Sequence, residues 1–327
     1  MGLRVRFFRS FYLRAVSATD LIPNVFDPKE KDAVVLLKTI RNYPLYFNPQ
    51  DKRLEALHWL VVGATGSGKS FFTGLVLKRL IEQGQLMSVL FIDHNRSFRR
   101  MVLNSRHPYF EPQSLEDLKF YTNSLFNTLN KVGGIAGIEL SDFDSLEKKE
   151  AAKNLLTSIE DYLRKRESIH PVYIVLDECW NFLKDEPVLV QRAFREFRKL
   201  NGAAIAITQS LSDFLMDESG RSIFQNAPIR ILLRQGEDLA PYKGVLGLNS
   251  VELKLLRQLK QKKGVYSECL IKTPFLSKLS KLYPTSEEHK LLRTDNIREE
   301  IIFQNRKLSN LSFELKKSQE VMHPCVA

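Results

Sequence analysis

The octapeptide Gly63-Ala64-Thr65-Gly66-Ser67-Gly68-Lys69-Ser70 constrains this chain more than any other stretch. It fits G-x-x-x-x-G-K-[ST], a loop whose backbone wraps phosphates. Trp59-Leu60-Val61-Val62 before it is a short apolar run that suits a buried strand. Phe71 to Ile81 after it suits a helix packed on a sheet. Gly63, Gly66 and Gly68 let the backbone turn its N–H groups inward without Cβ clashes. Together with the positive end of the following helix, those groups make a concave anion site. Lys69 is placed to reach β- and γ-phosphates, and Ser70 to offer a hydroxyl to Mg²⁺. The expected cofactor-binding set is therefore Gly63, Ala64, Thr65, Gly66, Ser67, Gly68, Lys69, Ser70 and Phe71, with a nucleoside triphosphate and Mg²⁺ as the ligands. A bare glycine turn would not require Lys-Ser after its last glycine.

From residue 58 onward short apolar runs alternate with helical patterns. Ser88 to Asp93 reads as a second core strand, Val172 to Leu176 as the strongest strand, and Ala203 to Ile207, Ile229 to Leu233 and Tyr266 to Lys272 as further ones. Residues 114–168 read as polar and mostly helical, with Gly133-Gly134 and Gly137 as a break. This alternation predicts an α/β fold: a mostly parallel, twisted sheet flanked by helices, with a small helical insertion at about 100–170. Residues 1–57 read as a basic lead-in broken by prolines, 58–290 as the main domain, and 291–327 as a charged helical tail.

The strand from Val172 delivers Asp177-Glu178 at its C-terminal end, where sites of such sheets lie. Asp177 is expected to hold the metal beside Ser70, through water, and Glu178 to orient and activate an attacking water. The alternative is an acid pair at a helix N-terminus that binds nothing. After the next strand comes Thr208-Gln209-Ser210, whose amide can sense a γ-phosphate or position water. Lys69, Glu178 and Gln209 form the expected catalytic set. Asp93, at the end of the second strand, reads as a neighbour of the metal or as a local Asx turn. Arg195, Arg198, Arg230, Arg234 and Arg257 are candidates for an arginine acting on a neighbouring subunit's site, with surface ion pairs as the plainer role.

Net charge is +11, from 49 Lys+Arg against 38 Asp+Glu. This suits a polyanionic partner, DNA or an acidic membrane surface, although the charge is spread along the chain. Cys179, Cys269 and Cys325 lie far apart, so neither a zinc motif nor a disulfide framework is indicated. The pattern fits a reducing, cytoplasmic compartment. No apolar run approaches the length of a membrane-spanning helix. Arg4, Arg6, Arg9 and Arg14 among Phe7, Phe8, Phe11 and Tyr12 read as a basic helix that docks on protein or on a membrane surface.

Assembled in order, these residues resemble the motor domain of the type IV secretion and conjugative-transfer ATPases, the VirB-four/TraC class in the HerA–FtsK branch of RecA-like ATPases. Beyond the loop, the resemblance rests on Phe91-Ile92-Asp93 with Arg96-Ser97-Phe98, on Asp177-Glu178-Cys179-Trp180, and on Arg198 to Gly202 leading to Thr208-Gln209-Ser210-Leu211-Ser212-Asp213. Gly247-Leu248-Asn249 with Glu252, and Tyr283-Pro284-Thr285-Ser286, resemble later segments. The likeness covers about residues 45–290. It implies a RecA-like P-loop ATPase that forms a homo-oligomer, a hexamer by resemblance. It also implies partners in a secretion channel at the inner membrane, and coupling of hydrolysis to pilus assembly or substrate transfer. The family commonly carries a large N-terminal domain, and Cys179 stands where an alanine is common. Two other expectations accompany this one: a HerA/FtsK-like DNA translocase, and a truncated, non-catalytic structural subunit.

Overall fold

The computed structural model describes residues 35–292, except 40, 41, 43, 213–217, 237, 241, 242 and 263. The basic segment around Arg4 to Arg14, Asp213, Cys325 and the tail beyond 292 lie outside the described residues.

The strands are β1 (Val35–Thr39), β2 (Pro44–Phe47), β3 (Trp59–Val62), β4 (Ser88–Asp93), β5 (Tyr109–Phe110), β6 (Ile135–Glu139), β7 (Val172–Leu176), β8 (Gly202–Thr208), β9 (Ile229–Leu232), β10 (Gln261–Lys262), β11 (Tyr266–Lys272) and β12 (Ser277–Leu282). The helices are α1 (Lys69–Glu82), α2 (Arg99–Asn104), α3 (Leu115–Leu129), α4 (Ser145–Lys165), α5 (Cys179–Asp185), α6 (Pro187–Glu196), α7 (Glu218–Asn226), α8 (Ser250–Leu256) and α9 (Ser286–Leu292). Among the described residues the strands form one 12-stranded sheet in the order β2-β1-β12-β11-β9-β3-β8-β7-β4-β6-β5, with β10 paired to β11. From β9 to β5 all pairings are parallel. From β11 to β2 they are antiparallel. The fold is the expected α/β class, a mostly parallel sheet flanked by helices.

Period-two alternation in the central strands feeds two cores. Leu60, Val62, Leu90, Ile92, Ile174, Leu176, Ala204 and Ala206 face one side, where they meet Leu125 of α3, Leu155 and Ile159 of α4, and Phe194 of α6. Trp59, Val61, Val89, Phe91, Tyr173, Val175, Ile205 and Ile207 face the other, against Phe72, Leu75, Val76 and Leu80 of α1 and Met101 of α2. Burial on both faces explains why these strands read as continuous apolar runs. Each fully buried aliphatic side chain contributes about 2 kcal/mol.

Two segments differ from their sequence reading. The glycine break in 114–168 is a strand: β6 pairs parallel to β4 from Val89–Ile135 to Asp93–Glu139. Helices α3 and α4 on either side of it form as expected, but the region extends the sheet rather than standing apart as a helical insertion. Gly137 disguises the strand because glycine is depleted there. It is required because the Tyr109 ring crosses it, and a Cβ at 137 would lie 2.3 Å from that ring. The second segment is the proline-broken lead-in. It holds the β1–β2 hairpin, which buries Leu37, Leu45 and Phe47 beside Trp59.

Candidate nucleotide site

Strand order builds the site. The loop strand β3 and the acidic strand β7 do not touch; β8 lies between them. Val62 is level with Thr208, and Leu176 with Ala206, so the three strands end together. The loop at 63–68, Asp177-Glu178 and Gln209 therefore emerge along one edge, where such sheets bind ligands.

The loop is tethered at its start. Gly63 N–H donates to Thr208 O at 3.3 Å and Ala64 N–H to Arg234 O at 2.8 Å. Gly66 (φ 72°) and Gly68 (φ 87°) occupy the left-handed region that favours glycine. Gly68 also caps α1, which has no side-chain cap and no acidic residue in its first turn. The first-turn N–H groups are thus not met by side-chain acceptors, which is the arrangement an anion requires. Gly63 is needed for space, since a Cβ there would come within 2.5 Å of Ser67 Oγ. That hydroxyl is buried without a hydrogen-bond partner.

Lys69 Nζ donates to Gly63 O at 2.9 Å and Ala64 O at 3.4 Å, which spans the ammonium across the mouth of the loop. Burial pulls its pKa below the usual lysine value, while the Glu178 and Asp177 carboxylates push it back up. Ser70 Oγ donates to Asp177 Oδ1 at 3.3 Å. Asp177 is only 2% exposed. Burial raises its pKa to about 8, with further upward pushes from the Asp93 and Glu178 charges; a Ser97 hydrogen bond and Lys69 act against them.

Glu178 follows in the left-handed region (φ 49°, ψ 52°) at the start of α5. Such a conformation costs a non-glycine residue on the order of 1 kcal/mol or more, and it turns the carboxylate out of the sheet into the cleft. Two side chains hold it there. Gln209 Nε2 donates to Glu178 Oε1 at 2.6 Å, and Trp180 Nε1 to Glu178 Oε2 at 3.1 Å. Gln209 Oε1 in turn accepts from the Thr65 hydroxyl. The loop, the Gln209 amide, the acid and the indole form one chain of hydrogen bonds.

Asp93 does not face the cleft. It is fully buried, and its carboxylate accepts from Asn95 N–H at 3.3 Å and Phe98 N–H at 2.7 Å, which is the Asx-turn alternative. Tyr109 OH bridges it to buried Glu139, with 3.0 Å to each. Among the candidate arginines, Arg230 is tied within the chain: it stacks on Phe224 and donates to Leu246 O and Phe224 O. Arg257 pairs with Asp238 at 2.7 Å, an exposed ion pair.

The cleft has a volume of about 530 Å³. One end carries Thr65, Lys69, Ser70, Glu178 and Gln209. The other is lined by Phe71 and by residues from β10 to α9, including Gln261, Tyr266, Pro284 and His289. Apart from Phe71, no local motif marks this second group; Pro284 alone of the rest appears in the resemblance drawn from sequence. The register β9–β11 brings it over the loop, and Ser267 Oγ donates to Ser67 O at 3.2 Å. A smaller cavity of about 340 Å³, with His94, Lys148, Trp180 and Asp185 in its wall, adjoins Glu178 and Gln209 on their far side. A groove of about 1190 Å³ between α3 and α4 contains none of the loop residues.

No curated protein matches the sequence. Among solved structures, VirB4 of Thermoanaerobacter pseudethanolicus has a TM-score of 0.63 at 16% identity, covering 79% of this chain and 98% of that one. The genome packaging NTPase B204 from Sulfolobus turreted icosahedral virus 2, in complex with ATP-gammaS, gives 0.48 at 15% identity over 73% and 100%. The pCW3 conjugation coupling protein TcpA gives 0.46 at 16% identity over 81% and 71%. The VirB4 likeness shows a shared RecA-like fold. Residues 39–252 match the family described as the central domain of helicase HerA. That match spans more than half of the chain, which therefore belongs to the HerA central-domain family, a HerA/FtsK-type branch of the P-loop NTPases.

Proposed function

We propose that the chain is an ATP-hydrolysing motor of a type IV secretion or conjugation apparatus, coupling hydrolysis to pilus assembly or substrate transfer. The observation that carries the enzymatic part is the convergence of Lys69, the Ser70–Asp177 contact and the Glu178–Gln209 contact at one sheet edge. The residues fit a triphosphate with its metal. The loop offers first-turn N–H groups and the buried Ser67 hydroxyl. Ser70 Oγ and Asp177 Oδ1, 3.3 Å apart, set two oxygen donors side by side at the end of the loop, the donor type that Mg²⁺ takes.

When bound, Mg²⁺ would neutralise negative charge on the triphosphate. Ser70 and Asp177 would hold it. Lys69 would exchange its loop carbonyls for phosphate oxygens and stabilise the charge that develops on them. Glu178 Oε1 would accept the proton of the attacking water, and Gln209 would hold both the carboxylate and the water in line. The transport role is supported by the fold shared with VirB4 and by the Trp180 and Gln209 motifs in order.

The enzymatic reading is tested by turnover of the wild type against Lys69→Ala and Glu178→Gln. Lys69→Ala is expected to lose nucleotide binding. Glu178→Gln is expected to keep binding and to lose at least about 10²-fold in turnover. Equal turnover in all three proteins would overturn it. A second reading, DNA translocation, is favoured by the HerA family match and the net charge of +11. Duplex binding that weakens steeply with salt supports this second reading; salt-insensitive binding or none counts against it.

A further inference from the structure

The triphosphate end of the cleft is accounted for by the loop and by Glu178 and Gln209. The other end has no assigned role, yet it is built. Helix α9 is anchored to the loop helix α1 by a two-point ion pair: Arg79 Nε lies 2.8 Å from Glu288 Oε1, and a second guanidinium nitrogen lies 2.9 Å from Glu288 Oε2. The same nitrogen donates to Tyr283 O at 2.8 Å. The ion-paired side chains are 17% and 11% exposed, so this fork is largely out of water. Glu288 also closes a capping box, accepting from Thr285 N–H at 2.6 Å while its own N–H donates to Thr285 Oγ1 at 3.1 Å. A helix this short would not hold its position on propensity alone.

The anchor presents His289 to the cleft. Its ring sits 6.1 Å from that of Phe71, the residue following Ser70, with the planes inclined at 50°, so the two form an aromatic corner. Gly264 (φ 76°) lets the β10–β11 turn pass behind: a Cβ there would lie 3.0 Å from His289 Nε2. Pro284, Leu282 and Val265 complete an apolar wall. Among the described residues, Glu178 at the opposite end is the one carboxylate that lines the cleft. No carboxylate at this end would therefore pair with guanine's N1–H and amino edge.

We infer that α9 is the base-binding wall of the nucleotide site: His289 and Phe71 stack a purine ring, and the Arg79–Glu288 fork positions the wall relative to the phosphate loop. The inference rests on the nucleotide reading of the loop, and it adds a substrate preference. A purine covers the corner and wall more fully than a pyrimidine.

The test is calorimetric titration of the full chain, in Mg²⁺, with ATP, CTP and inorganic tripolyphosphate. The wild type is expected to bind ATP more tightly than CTP or tripolyphosphate. His289→Ala should weaken ATP about tenfold, the size of one lost stacking contact, and leave tripolyphosphate nearly unchanged. His289→Phe should restore ATP binding. Glu288→Gln, which loosens the anchor without removing a ring, should shift ATP in the same direction as His289→Ala. If His289→Ala leaves ATP affinity intact, or weakens tripolyphosphate equally, the wall has no such role. Wild-type affinity equal for ATP and tripolyphosphate overturns the wall and leaves the phosphate loop standing. Binding of neither overturns the nucleotide reading itself.

Discussion

Glu178 is where residue-scale chemistry is concentrated, and its neighbours are as informative as the acid. Gln209 donates to one carboxylate oxygen and Trp180 to the other. Gln209→Ala is expected to lower turnover by on the order of 10²-fold with little change in ATP affinity. A parallel loss of affinity in binding measurements would show instead that Gln209 supports the loop. The sequence identified Asp177, Glu178 and Gln209 because each follows a clear apolar strand. It did not show that Gln209 spans from Thr65 to Glu178, because that depends on which strand lies between which. A second residue-scale prediction concerns His58, which is buried and accepts from Ala204 N–H through Nδ1 at 2.8 Å. Burial, aided by the Arg198 charge, lowers its pKa from 6.5 to about 4. Its folded-state pKa thus lies below the unfolded one. The stability it contributes is complete above pH ~6.5 and is lost as pH falls toward ~4, by at most about 3 kcal/mol. His94, lowered to about 4 mainly by burial, acts in the same direction. His58→Gln keeps an acceptor without a titrating ring, so its unfolding midpoint should fall less than the wild type's between pH 7 and 4.5. An equal fall would remove His58 from the account.

Elements were legible where their burial is symmetric and illegible where a single contact decides. Strands β3, β4, β7 and β8 are apolar runs and read directly as strands; β9 and β11 read as strands although they carry Arg230, Ser267 and Glu268. Strand β6 carries Gly137, and only the Tyr109 ring lying across it explains that glycine. Gly137→Ala is expected to destabilise the protein by about 1–3 kcal/mol, because the ring must move and give up its bonds to Asp93 and Glu139. Denaturant midpoints will check this; a change below about 0.5 kcal/mol would show that the ring is easily displaced. The β1–β2 hairpin is disguised by the prolines around it, Pro28, Pro44 and Pro49, although Ala33 to Leu37 is an apolar run. Its partner β12 alternates serine and lysine with leucine, the pattern of a strand covered less completely than those at the centre. Strand β11 was predicted over Tyr266 to Lys272, but its antiparallel return beside β9 was not, and that return places the second wall of the cleft over the loop.

At the scale of the molecule, one sheet carries two kinds of work. Its parallel half aligns the loop, the acid and the amide at a common edge, and its antiparallel half folds back to cover the loop. The described residues contain no helix long and apolar enough to cross a membrane. The chain has two tryptophans, and the fold puts them in opposite circumstances. Trp59 is fully buried in the loop strand, whereas Trp180 is 39% exposed and bonded to Glu178. Emission from this protein therefore divides into a shielded component and one that water-soluble quenchers can reach. Acrylamide or iodide should extinguish only the Trp180 fraction, and Trp180→Phe should abolish that fraction. Saturating ATP should change the accessible fraction if the carboxylate changes partners when it engages water. An accessible fraction that ignores ATP would mean that Glu178 keeps its indole partner throughout. The placement of Trp180 gives the molecule an optical reporter at the atom where hydrolysis is expected to begin, with no label attached.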